Sequence, residues 1–172
     1  MSNSIEAGEQ MERPLQDAIG YAEETSVTIE ARDVQRWADA VGDMNPLYFD
    51  AAFARAHGHP NIVVPPMYLF YATSSHPKLE DLREDGSRRG KVANGPLPPW
   101  VQLPERRVAA GEERWFLRSV HVGDTITSHR SIQSIEQKQG RSGAFVLVTW
   151  LAEDRNQKGD LVAKSITSMI AR

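Results

Sequence analysis

The sequence predicts an α+β fold in which one long antiparallel sheet wraps around a single apolar helix. Three observations predict it. The helical patterns gather in the first half of the chain, and four strand-like runs follow one another from Arg106 to the end. The segment Met67 to Ser75 is apolar nearly all round, as a helix buried on most sides must be. Helices and strands segregated in this way, rather than alternating, give helices on one side of an antiparallel sheet.

The elements follow in order. The first strand is expected from about Thr25 to Glu30, where Val27 and Ile29 alternate with Ser26 and Thr28. Val34, Trp37, Ala38 and Val41 then form one apolar stripe at helical spacing, and Gly42 provides the left-handed cap. Asp43 to Tyr48 is a loop in which Pro46 keeps Asn45 extended. Asp50 is placed as the N-cap of a short helix through Ala56, stopped by Gly58. Ile62 to Val64 is an apolar link, and Pro65-Pro66 opens the apolar helix, where a missing N–H costs nothing.

The stretch His76 to Pro104 is a long loop, with a charged run from Glu80 to Lys91. Strands are then expected at Val108 to Leu117, Asp124 to about Lys138, Gly143 to Glu153 and Leu161 to Ala171. A change of phase between Ile132 and Ile135 suggests a bulge in the second of these. The third is apolar on both faces and is placed in the middle of the sheet. This order is the hot-dog arrangement: a single domain over residues 21–172, preceded by a mobile arm at 1–20.

Composition excludes several function classes. The chain has 172 residues, with 20 Lys and Arg against 23 Asp and Glu, a net charge of −3. That leaves no broad basic surface for nucleic acid. With no cysteine, thiolate metal sites, cysteine nucleophiles and disulfides are ruled out. The longest apolar stretch, Ile62 to Ala72, is shorter than the roughly 20 residues a membrane span needs. The first twenty residues lack the basic start and apolar core of a signal peptide. A soluble cytoplasmic protein is expected.

The run Asp-Ala-Val-Gly-Asp-Met-Asn-Pro-Leu-Tyr at 39–48 resembles the active-site motif of the MaoC-like (R)-specific enoyl-CoA hydratases and 3-hydroxyacyl dehydratases, which reads roughly Gly-Asp-x-Asn-Pro-aliphatic-His. The resemblance continues through Asp50 and Ala51, Pro65-Pro66-Met67, Val122-Gly123-Asp124 and Asn156-Gln157-Lys158-Gly159, and covers about Thr25 to Arg172. It is most similar to the FAS1-like, or N-terminal MaoC, dehydratase branch. In that family an Asp and a His hold the water that adds to a trans-2-enoyl thioester. A backbone N–H at the first turn of the central helix, usually a glycine's, steadies the thioester oxygen.

The resemblance makes Asp43, Asn45 and Tyr48 the catalytic positions. Tyr48 replaces the family's histidine, and Pro66 replaces the oxyanion glycine. Both changes strike at the mechanism. An ordinary tyrosine, with a pKa near 10, starts roughly 4 kcal/mol behind histidine as a base at neutral pH. Proline has no N–H, and losing an oxyanion donor costs about 3–4 kcal/mol in comparable sites. The expected function is therefore the substrate-binding, non-catalytic half of a heteromeric hydratase or dehydratase. Its expected partner is a second MaoC-like subunit with an intact Asp/His motif, or a homo-oligomer. The alternatives are a self-sufficient hydro-lyase using Asp43 and Tyr48, a thioesterase and a pure acyl-binding module. The thioesterase ranks low because Met67 to Ser75 carries no acid.

Each residue also has a plainer reading. Asp43 could brace a turn, and Tyr48 could be a packing residue. Met67, Tyr68 and Tyr71 are core residues or line an acyl tunnel beside Pro66. Trp100 and Trp115 floor a pocket or anchor the long loop. Arg88, Arg89 and Lys91 form a solvated loop face or contact coenzyme A phosphates or an acidic carrier protein. His57 and His59 lack further ligands at metal-site spacing, so no metal is expected. No cofactor is expected beyond the acyl-CoA or acyl-carrier substrate itself.

Overall fold

The computed structural model of the chain describes residues 13–74, 79–85, 95–141 and 143–172. A five-stranded antiparallel sheet carries three α-helices. The strands are β1 (Ala22–Thr28), β2 (Arg107–Phe116), β3 (Thr125–Gly140), β4 (Gly143–Asn156) and β5 (Leu161–Ala171), in the spatial order β1-β3-β4-β5-β2. The helices are α1 (Ala31–Val41), α2 (Ala51–Ala56) and α3 (Pro66–Thr73).

Local chemistry sets the helix ends. Gly42 closes α1 at φ 73°, a conformation that costs glycine no Cβ clash. Asp50 caps α2 by accepting the N–H groups of Ala52 and Phe53 at 2.7 and 3.1 Å. The bulge in β3 falls between Ile132 and Ser134, where the phase of the sequence changes.

Three expectations are corrected. β4 does lie in the middle of the sheet, but only one face is fully buried. Val146, Val148, Trp150 and Ala152 point inward, while Phe145, Leu147 and Leu151 are half-buried on the convex face. The helix α3 is not enclosed either: Tyr68 and Leu69 are buried, but Met67 and Tyr71 are 48% and 49% exposed. Finally, residues 15–18, within the stretch expected as an arm, form a 3-10 turn whose Ala18 is buried in the core. There the Gly20 N–H bonds to the Ile132 carbonyl and the Ile132 N–H to the Tyr21 carbonyl.

The concave side of the sheet holds two separate apolar cores. One surrounds α3: Ile29, Val34, Val64, Tyr68, Leu69, Ile126 and Val162. The other lies toward the β3–β4 turn, where Ile132, Ile135, Val148, Trp150 and Met169 are covered by Ala18, Val101 and Leu103. Trp150 fastens the covering segment by donating its indole N–H to the Pro96 carbonyl at 2.8 Å. The register places two polar rungs between these cores. One holds Ser128 opposite Asp154, and the next holds Arg130, Ala152, Ser165 and Arg114.

Candidate functional site

The motif loop leaves the end of α1 and crosses to the N-terminal end of α3. Asp43 N–H is bonded to the Ala38 carbonyl at 2.9 Å, which carries the chain out of the helix. Asn45 then starts a 3-10 turn, Pro46–Tyr48, its side chain accepting from the Leu47 N–H at 3.1 Å. Gln35 of α1 donates to the Phe49 carbonyl at 3.3 Å and holds the far end of the loop. The Val63 N–H bonds to the Leu47 carbonyl at 2.9 Å, so the loop is tied to the link that leads into Pro65-Pro66. The motif loop is thus tied by a backbone bond to the link that runs into α3.

Within this site Asp43 is exposed and Tyr48 is half-buried. Burial pushes the Tyr48 hydroxyl up from its ordinary pKa, and the negative charge of Asp43 pushes it the same way. A hydrogen bond with Asn45 opposes them. At neutral pH Tyr48 is consequently ionised even less than a free tyrosine and stays a hydrogen-bond donor. Pro66 occupies the first position of α3 and is exposed. Because neither Pro65 nor Pro66 has an N–H, the first backbone donor of the helix is that of Met67. The next N–H, of Tyr68, is bonded to the Pro65 carbonyl at 2.9 Å.

The other expected residues separate. Tyr68 packs edge-on against Trp37 at 6.0 Å and belongs to the core, whereas Met67 and Tyr71 face outward. Arg114 of β2 lies over the Phe70 ring at 3.4 Å and bonds Glu112 as well as the Met67 sulfur. Trp100 packs on the second core with Arg13 at 5.5 Å, so it anchors the covering segment. Trp115 stands on the opposite face of β2 from Arg114, against Lys164, away from α3. Arg88, Arg89 and Lys91 lie outside the described residues.

Histidines gather elsewhere. His57 is bonded to the Phe53 carbonyl at 2.8 Å, and His59 meets His121 at 3.3 Å between ring nitrogens. Burial lowers the His121 pKa; Asp124 opposes that shift and His59 reinforces it. Asp124 also accepts from the His121 backbone at 2.9 Å and from the Gln157 side chain at 2.8 Å. Two distant motif pieces, around Gly123 and around Gln157, are therefore one structural joint at the start of β3. Among the described residues no group of three His, Asp or Glu side chains comes together as a metal site.

Sequence reading missed the polar rungs between the cores. Burial pushes the Asp154 carboxyl up, against the Ser128 hydroxyl and the Arg130 and Arg114 charges, which pull it down. Asp154 continues the inward phase of Val146, Val148, Trp150 and Ala152, so alternation carried one turn further would have found it.

The match to known proteins agrees with this geometry. The model of the FAS1-like dehydratase domain region fits residues 17–165. The chain belongs to this MaoC-like dehydratase family. A UPF0336 protein of Parafrankia sp. is 31% identical over 91% of the chain and 93% of its own length. A probable enoyl-CoA hydratase alpha subunit of Thermomonospora curvata is 27% identical over 91% of the chain, which spans half of that protein. In three dimensions, a chain of the ChsH1-ChsH2 complex from Mycobacterium tuberculosis superposes with a TM-score of 0.65 at 20% identity, over 91% of this chain and 90% of that one. This likeness shows the hot-dog fold.

Proposed function

We propose that this member of the family is the substrate-binding, non-catalytic half of a heteromeric hydro-lyase. That enzyme reversibly adds water to a trans-2-enoyl thioester, on coenzyme A or a carrier protein, in the cytoplasm. One observation carries the proposal. At the motif position where the family has its histidine stands Tyr48, whose proton is held more tightly than that of a free tyrosine by burial and by Asp43. Tyr48 therefore stays protonated at neutral pH and does not replace the imidazole as a proton acceptor. A second chain with an intact Asp-x-Asn-Pro-aliphatic-His motif supplies the acid–base pair, and this chain supplies walls for the acyl group.

Two further features support the reading. The relative from Thermomonospora is named an alpha subunit, and the structural neighbour is a complex of two chains. The fold also offers a surface for such a partner. Among the described residues β2 pairs only with β5, and no described strand lies on its other edge. Beside it Met67 projects from α3, within reach of Arg114.

The self-sufficient alternative has one observation in its favour: Met67 provides a backbone donor one residue beyond Pro66, at the helix end where negative charge is stabilised. Co-expression with a motif-intact MaoC-like chain separates the readings. Native mass spectrometry is expected to show a mixed assembly, and Asp43→Asn is expected to leave its hydration rate within about threefold. A rate abolished by Asp43→Asn would establish the self-sufficient site instead.

A further inference from the structure

Two histidines meet at the joint that anchors the motif loop. His59 Nδ1 lies 3.3 Å from His121 Nε2, and the ring centroids are 5.5 Å apart. His59 precedes the link into α3, and His121 stands just before β3. Between them runs a short ladder. The Val64 N–H bonds to the Val120 carbonyl at 2.9 Å and the Val122 N–H to the Ile62 carbonyl at 3.0 Å. Asn61 donates its side-chain N–H to the Val122 carbonyl at 3.0 Å. Val63 is bridged to His121 and gives its own N–H to Leu47 of the motif loop. The imidazole contact therefore closes, through side chains, the same joint whose backbone holds the loop.

This contact depends on how many protons the pair carries. A neutral imidazole has one ring N–H and one bare nitrogen. With the His121 proton on Nδ1, toward Asp124, its Nε2 is bare and accepts from the Nδ1–H of His59. One added proton leaves that bond intact, because it can sit on the outer nitrogen of His59. A second must enter at His121 Nε2, where two N–H groups and two positive charges would then face each other across 3.3 Å.

The ionisable groups nearby do not relieve that repulsion. Asp124 Oδ2 stands 3.9 Å from His121 Nδ1, beyond hydrogen-bond distance, and already accepts the His121 backbone N–H at 2.9 Å. Its Oδ1 accepts from Gln157 at 2.8 Å. His57 is exposed, and its ring is bonded to the Phe53 carbonyl. Burial lowers the His121 pKa and His59 lowers it further, with Asp124 opposing them. An opened joint thus binds protons more tightly than a closed one, so the closed form loses stability as pH falls below about 6.5.

We infer that His59 and His121 form an acid-sensitive clasp. Closed, it fastens the link into α3 against the start of β3. Doubly protonated, it opens and loosens the link together with the motif loop that the link anchors.

Hydrogen exchange of the whole chain, corrected for the intrinsic pH dependence of exchange, tests the clasp at the Val63, Val64 and Val122 amides. Between pH 7.5 and about pH 5, their protection is expected to fall about tenfold relative to the amides of β4. His59→Gln and His121→Gln are each expected to abolish that fall. His129→Gln, which removes an exposed histidine paired with Glu24 far from the joint, is expected to keep it. Protection that does not change with pH in the original chain overturns the clasp, and so does an equal fall in the His59→Gln and His121→Gln variants. Nitrogen-15 NMR titration of the unsubstituted chain gives a second test that needs no variant. His59 and His121 are expected to titrate as a coupled pair, the last proton entering at least about one pH unit below the ordinary histidine value. Two independent titrations near the ordinary value would overturn the inference.

Discussion

At the scale of single residues, two positions show how tightly chemistry constrains this chain. A Cβ at Gly95 would lie 2.6 Å from the Trp150 ring, inside any tolerable contact. The indole is also held by its bond to Pro96 and cannot step aside. Gly95→Ala is expected to destabilise the fold by about 1–3 kcal/mol, read as a melting temperature several degrees lower. Asp154 makes the opposite case. Its folded pKa is raised, so the folded state binds the proton more tightly than the unfolded state does. Stability then falls as pH rises from the ordinary carboxylate range, near 4, through the folded value. Asp154→Asn removes that loss. The variant is expected to melt a few degrees higher than the original at pH 7 and at nearly the same temperature at pH 3.5. A variant that melts lower at pH 7 would show that the carboxylate is a net support.

At the scale of elements, most boundaries were legible because local signals acted alone. Gly42, Asp50 and the Pro65-Pro66 pair each fix one helix end through its own hydrogen-bonding chemistry. The phase slip between Ile132 and Ile135 foretold the bulge. What local signals could not give is which neighbour covers a face. Met67 and Tyr71 read as core because their helix is apolar, yet the chain leaves both half exposed. Trp115 read as a pocket floor or an anchor for the long loop, and strand parity puts it on the convex face with Lys164. The polar rungs were missed for a related reason: Ser128 and Asp154 lie 26 positions apart, and only the β3–β4 register joins them. The edge of β2 away from β5, which no described strand covers, gives the prediction at this scale. Val108→Lys together with Phe116→Lys, both on exposed positions of β2, is expected to weaken assembly with the partner at least tenfold. Far-ultraviolet circular dichroism of the doubly substituted chain is expected to be unchanged. Undiminished assembly would place the partner elsewhere.

At the scale of the whole molecule, the chain keeps its family's architecture while its motif carries Tyr48 at the position where the resemblance places a histidine. The loop, its anchors at Gln35 and Val63, and the approach to α3 are all in place. The residue the loop presents is a tyrosine whose surroundings hold its proton more tightly. A scaffold kept around such a position makes sense if the surface still shapes an acyl group for chemistry done next door. Among the described residues no helix is long and apolar enough to cross a membrane. The decisive measurement is the rate of hydration of a trans-2-enoyl-CoA at neutral pH, followed by loss of the conjugated thioester absorbance. The purified chain alone is expected to give no rate above background, and the mixture with a motif-intact MaoC-like chain is expected to turn over. Sustained turnover by the chain alone would contradict the account.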